Sequence, residues 1–106
     1  MLLATVKSVN NASIRLTKER WEHIKNSHPE IAHEDLENVL NAVSKPDVIL
    51  KGDLDELLAV KREAGGKLWF VVPYKEIDSN DGFILTAYVT TDAGWLFKKK
   101  VIWSKD

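Results

Sequence analysis

The stretch L-L-A-V-K-R-E-A-G-G-K-L-W-F-V-V-P-Y-K, residues 57–75, decides how this chain folds. Two largely apolar runs, Leu57–Arg62 and Lys67–Lys75, flank Ala64-Gly65-Gly66. Glycine reaches backbone angles that strain other residues, so this pair between two such runs predicts a tight turn. The runs are then antiparallel neighbours in a sheet, with side chains alternating between its faces. Beyond them, Asp78-Ser79-Asn80-Asp81-Gly82 reads as a loop and Phe83–Thr91 as the next strand, ended by Asp92-Ala93-Gly94. Alternation along that strand places Phe83, Leu85, Ala87 and Val89 on one face, expected to meet the helices. Ile84, Thr86, Tyr88 and Thr90 fall on the other, expected to form an open, hydroxyl-rich stripe. Phe97–Trp103 reads as a final edge strand whose lysines discourage edge-to-edge pairing.

N-terminal to the hairpin, Val48-Ile49-Leu50 is a short apolar strand. The segment before it has helical periodicity: Leu36, Val39, Leu40 and Val43 fall at i, i+3, i+4 and i+7, acidic residues crowd the start, and Pro46 marks the end. An earlier helix begins after Thr17, whose hydroxyl suits an N-cap, and carries Trp21, Ile24 and His28 on one face. Pro29 restricts His28 and stops it there. Residues 3–16 read as two short strands about a turn at Asn10-Asn11. The fold class is α+β, one domain over residues 1–106, with two N-terminal helices packed on one face of a mainly antiparallel sheet of four or more strands.

Composition excludes several kinds of chemistry. There is no cysteine, so disulfides, thiolate metal sites and cysteine nucleophiles are ruled out. No apolar run approaches the ~20 residues of a membrane helix, and Met1-Leu2-Leu3-Ala4 lacks the basic start of a signal peptide, so a cytoplasmic protein is expected. A net charge of −1 argues against an overall electrostatic grip on nucleic acid. Charge is uneven, however: Lys61, Arg62, Lys67 and Lys75 concentrate on the hairpin, and Lys98, Lys99 and Lys100 form a second basic cluster. Either could be a solvated face or a small basic site.

All histidines lie in W-E-H-I-K-N-S-H-P-E-I-A-H-E-D, residues 21–35, five apart. Five helical residues turn the chain about 140° past a full turn, so His23 and His28 cannot share a face, and Pro29 intervenes before His33. The usual zinc spacing on a helix is i, i+4. The regular step is read as accidental, and no metal or other cofactor is expected. Gly65-Gly66 is not a phosphate loop, and G-D-L-D-E at 52–56 reads most simply as a solvated turn. His28 stands apart because it lies on the apolar stripe at a helix C-terminus, where the dipole favours imidazolium. It is either a packed end-of-helix histidine or a proton donor and acceptor. Beside the stripe carrying Thr86, Tyr88 and Thr90, with Lys61 or Arg62 and Lys67 or Tyr74 on adjacent strands, it completes a set suited to metal-free RNA cleavage. A base takes the 2′-OH proton, cations and hydroxyls hold the phosphorane, and an acid protonates the leaving oxygen. The same hydroxyls also suit the polar outer face of a half-buried sheet.

Five segments in order carry a resemblance: R-L-T-K-E-R-W-E-H-I-K-N-S-H-P-E at 15–30, P-D-V-I-L-K-G-D at 46–53, L-L-A-V-K-R at 57–62, K-L-W-F-V-V-P-Y-K at 67–75 and D-G-F-I-L-T-A-Y-V-T at 81–90. Together they resemble the barnase–EndoU–colicin E5/D–RelE-like nuclease group, closest to its phage-associated branch. The resemblance implies a metal-independent ribonuclease, a toxin or effector cutting tRNA or other RNA, with an antitoxin or immunity protein as partner and no membrane. It maps catalytic roles to His28, Lys61 or Arg62, Thr86 and Tyr88, and leaves Lys67, Tyr74, Lys75 and Thr90 as substrate-binding candidates on neighbouring strands. Alternation with Leu58 and Val60 inward turns Lys61 outward, though Arg62 at the strand end can curl round. The near-neutral charge departs from the basic character of such toxins and supports an alternative, a non-catalytic RNA- or protein-binding module. Trp95 and Trp103 near the C-terminus are expected either to anchor an antitoxin covering the basic face or, for at least one of them, to pack into the core.

Overall fold

In a computed structural model covering Met1–Asp106, the chain forms eight strands and two α-helices. In order these are β1 (Leu2–Lys7), β2 (Ser13–Thr17), α1 (Lys18–Ser27), α2 (Leu36–Ser44), β3 (Val48–Lys51), β4 (Leu57–Arg62), β5 (Trp69–Glu76), β6 (Asp81–Ile84), β7 (Tyr88–Thr90) and β8 (Val101–Ser104). Single 3₁₀ turns lie at His33–Asp35 and Leu96–Lys98. The sheet order is β1-β2-β6-β5-β4-β3-β8, with β7 on β5 beyond the end of β6. The fold is α+β. The sheet is mixed because β2 and β6 run parallel, while the remaining pairs are antiparallel.

Local sequence explains the element ends. Asn11 takes a positive φ of 66° in the β1–β2 turn, as asparagine tolerates. Thr17 Oγ1 accepts from the Arg20 amide at 3.1 Å and starts α1. His28 closes it with non-helical angles, φ −130° and ψ 82°, its own amide still donating to the Ile24 carbonyl. Gly65, with φ of 70°, turns the β4–β5 hairpin.

Both helices bury their apolar stripes in one cluster: Trp21 and Ile24 from α1, and Val39, Ala42 and Val43 from α2. They meet Ile14, Leu16, Ile49, Ala59, Phe70, Val72, Tyr74 and Ile84 on one sheet face. Gly82 makes the parallel β2–β6 contact possible. A Cβ there would collide with the Lys75 carbonyl and sit 2.7 Å from Ile14 Cδ1.

The opposite face departs from the expected open polar surface. Val48, Leu50, Leu58, Val60 and Val71 form a second apolar cluster, closed by Leu96 from the last 3₁₀ turn. The chain after β7 folds back over that face, so the final strand is shorter than Phe97–Trp103 and pairs with β3. Trp103 packs toward the helix-side core, while Trp95 stays 41 % exposed.

The strand read as Phe83–Thr91 is broken. Tyr74 pairs with Ile84 and Val71 with Tyr88, so two β5 residues oppose three, Leu85–Ala87. The Leu85 and Thr86 amides converge on the Pro73 carbonyl at 2.9 and 3.4 Å, the geometry of a β-bulge. The extra residue reverses the face parity. Ile84, not Phe83, enters the helix-side core, while Ala87 and Val89 keep the expected side. No helix is long and apolar enough to cross a membrane.

Candidate functional site

The bulge places Tyr88 beside His28. Their ring centroids are 5.8 Å apart, tilted by 33°. His28 follows the last turn of α1, and Pro29 turns the chain so that Glu30 reaches the free edge of β7. There Glu30 Oε2 accepts from the Val89 amide at 3.4 Å and lies 3.5 Å from His28 Nδ1. The second distance is a charge contact rather than a good hydrogen bond. Glu30 is thus fixed on one side by backbone and faces the imidazole on the other. The His28 side chain is 33 % exposed, so it is packed yet open to solvent. Burial pushes the Tyr88 phenol above its ordinary range, and the Glu56 carboxylate adds to the shift. At neutral pH Tyr88 therefore keeps its proton.

Beyond Tyr88 the surface is aromatic. Leu96 is fully buried in the second cluster, and its neighbours lie over two strand residues. Trp95 lies nearly parallel to Tyr88, at 17° with centroids 6.4 Å apart. Phe97 meets Trp69 edge-on at 5.3 Å. The Arg62 guanidinium sits over the Trp69 ring, 5.7 Å from its centroid.

The other expected site residues are distributed elsewhere. Lys61 pairs with Phe70, on the helix side of the sheet, and its ammonium donates to the Lys45 carbonyl at 2.8 Å. This corrects the outward assignment, because the face carrying Leu58 and Val60 is itself covered. Arg62 belongs to the Tyr88 side, in the cross-strand row Arg62–Trp69–Thr90. Tyr74 is fully buried among the helix-side core, and its hydroxyl has no partner there, so it cannot contact a substrate. Thr90 Oγ1 accepts from the Asp92 amide at 3.1 Å and is committed to the following turn. Thr86 is half-buried at the bulge and makes no side-chain hydrogen bond within the protein. Lys67 lies at the hairpin turn and Lys75 near the far end of β5, too distant to serve one phosphate.

The largest cleft, about 900 Å³, lies away from His28 between α2, the β4–β5 turn and the C-terminus. Lys61, Arg62, Lys67 and Lys105 line it with Asp47 and Glu63. Its cations are partly engaged. Asp47 holds the Lys105 ammonium at 2.8 Å and also accepts the Arg62 backbone amide at 2.7 Å, while Arg62 Nε donates to the Gly66 carbonyl at 3.2 Å.

The three histidines go to separate places. His23 Nε2 lies 3.5 Å from Ser27 Oγ, and His33 Nδ1 lies 3.5 Å from Lys25 Nζ. No three His, Asp or Glu side chains converge on one point suited to a metal. Asp53 is tied to Lys99 at 3.1 Å, and Glu56 folds back on the Leu54 amide. Glu30 is the residue sequence reasoning overlooked. The signal available was its place in H-P-E, where proline rigidifies the step from histidine to carboxylate. No protein-family model, curated protein or solved structure matches this chain.

Proposed function

We propose that this chain is a metal-independent endoribonuclease whose reacting edge is built by His28, Glu30 and Tyr88. The carrying observation is the half-exposed His28 set between a backbone-anchored carboxylate and a phenol. A carboxylate facing one ring nitrogen fixes the imidazole's orientation, leaving the other nitrogen for proton transfer. His28 takes the proton from a ribose 2′-OH, whose oxygen attacks the adjacent phosphorus. The P–O5′ bond breaks, leaving a 2′,3′-cyclic phosphate and an O5′ that takes up a proton. The neutral Tyr88 phenol donates to a non-bridging phosphate oxygen, where charge accumulates. Thr86, with no partner inside the protein, is a further donor at the bulge, and Arg62 is a candidate cation on that sheet face, its terminal guanidinium nitrogens free while Nε donates to the Gly66 carbonyl. The ordered sequence resemblance supports the same reading.

The test is incubation of the purified chain with total RNA and tRNA in EDTA, beside His28→Ala. General acid–base catalysis contributes about 10²–10⁴-fold, so the variant should lose at least two orders of magnitude of cleavage. Full activity in the variant would refute the assignment. A second reading, RNA binding without cleavage, is favoured by one observation: Lys61 is held at the Lys45 carbonyl on the opposite face, so that expected cation is missing from His28. Intact RNA that is nonetheless bound would establish it.

A further inference from the structure

Four aromatic side chains on this face are arranged as two pairs about one buried anchor. Leu96 is fully enclosed, whereas Trp95 and Phe97 beside it are 41 % and 44 % exposed. Each covers a half-buried ring, Tyr88 or Trp69, that itself packs on the second cluster. Large rings left this open are costly to hydrate, and Trp95 and Phe97 lie outside that cluster, which Leu96 closes and on which Trp69 and Tyr88 pack. Cations border the strip. Arg62 lies 5.7 Å from the Trp69 ring with its Nε donating to the Gly66 carbonyl, and Lys98, exposed and adjacent to Phe97 in the chain, has no carboxylate within 4 Å. Rigid π faces with cations alongside favour a ligand that is planar, apolar on its faces and anionic along its backbone. Bases in a duplex present only their edges, so their faces are out of reach of such a strip.

We infer that the Trp95–Tyr88 and Phe97–Trp69 pairs bind unpaired bases of a single-stranded polynucleotide, so that the substrate is RNA with unstacked bases and not a duplex. This rests on the ribonuclease reading for its substrate, and it adds how that substrate is held. His28 lies directly beside Tyr88, so a strand whose base lies on Trp95 brings its next phosphodiester toward the reacting edge.

The experiment uses a fluorescent, unstructured 2′-O-methyl oligouridine and the same strand annealed to a 2′-O-methyl complement. Neither has a free 2′-OH, so neither can be cut, and binding is read apart from cleavage. The single strand should bind and quench tryptophan emission, with the duplex much weaker. Trp95→Ala and Phe97→Ala should each weaken single-strand binding about 5- to 100-fold. Trp95→Phe, which keeps a ring, should recover most of it. Circular dichroism of each variant checks that the fold persists. Unchanged affinity in folded Trp95→Ala and Phe97→Ala, or equal affinity for the duplex, overturns the inference. Cleavage of RNA by a protein whose binding ignores Trp95 would overturn this inference alone. Trp95-dependent binding by a protein that cuts nothing would overturn the ribonuclease reading alone.

Discussion

Replacing Leu96 by alanine should detach the segment that carries Trp95 and Phe97 while leaving the helix-side core intact. Leu96 is completely buried and is the only residue of residues 92–100 in the second cluster's buried set. Removing three carbons forfeits ~2.4 kcal/mol of transfer free energy at about 0.8 per methylene equivalent. The residual cavity raises the range for such truncations to about 2–5 kcal/mol. The other ties of the segment are polar or at the surface: the Phe97 amide to the Ala93 carbonyl at 3.1 Å, the Lys99 amide to the Leu96 carbonyl at 3.0 Å, the Lys51 amide to the Lys100 carbonyl at 2.8 Å, the Lys99–Asp53 pair, and the half-exposed contacts of Trp95 with Tyr88 and Phe97 with Trp69. Such contacts cannot compensate, so the turn opens locally. The loss seen in global unfolding is then capped by the free energy with which the turn docks, because the variant unfolds from an already opened state. Urea denaturation should give a loss of about 2 kcal/mol with a reduced m-value. Hydrogen exchange should show lost protection at the Phe97 and Lys99 amides alone. A destabilisation under about 0.5 kcal/mol with protection retained would refute the anchoring argument.

Three further perturbations follow from particular contacts. Tyr74→Phe removes a buried hydroxyl that has no partner, so thermal melting should show unchanged or slightly higher stability, by up to about 1 kcal/mol; a loss above that would mean the hydroxyl is satisfied. Gly82→Ala puts a methyl against the Lys75 carbonyl and Ile14, so it should cost about 1–3 kcal/mol by denaturation, with β2 and β6 parting first by hydrogen exchange. Asp47 is partly buried, which raises its pKa, but the Lys105 ammonium and the Arg62 amide outweigh this and hold it below 3.8. Its contribution is therefore complete above the ordinary carboxylate pKa and is lost as pH falls through the depressed value. Acid titration of stability should be steeper below about pH 4 in the wild type than in Asp47→Asn, and equal slopes would contradict this.

Much of the architecture was legible because local signals agreed with it. Thr17, Pro29, Pro46, Gly65 and the 3.6-residue stripe of α2 each act within a few residues, and each falls where the structure needs it. What sequence could not supply was parity. A bulge at Leu85–Ala87 is one extra residue with no marker of its own, yet it exchanges the faces of Phe83 and Ile84. The same kind of ambiguity misplaced Lys61. Leu58 and Val60 do point into a core, but it is the second core, made when Leu96 returns from over thirty residues later in the chain. Tyr74 was misjudged for a related reason, since a tyrosine at an alternating position reads equally as a polar surface residue or a buried ring. His28 and Tyr88 were brought together as expected, and Glu30 joined them through a turn whose direction only the packed fold determines.

The central claim is most directly tested by digestion of a defined RNA in EDTA, with the ends of the products characterised. Cleavage should leave 2′,3′-cyclic phosphates and should fall by at least about 100-fold in His28→Ala and less in Glu30→Gln. Cleavage that needs a divalent ion, or that survives undiminished without His28, would contradict it.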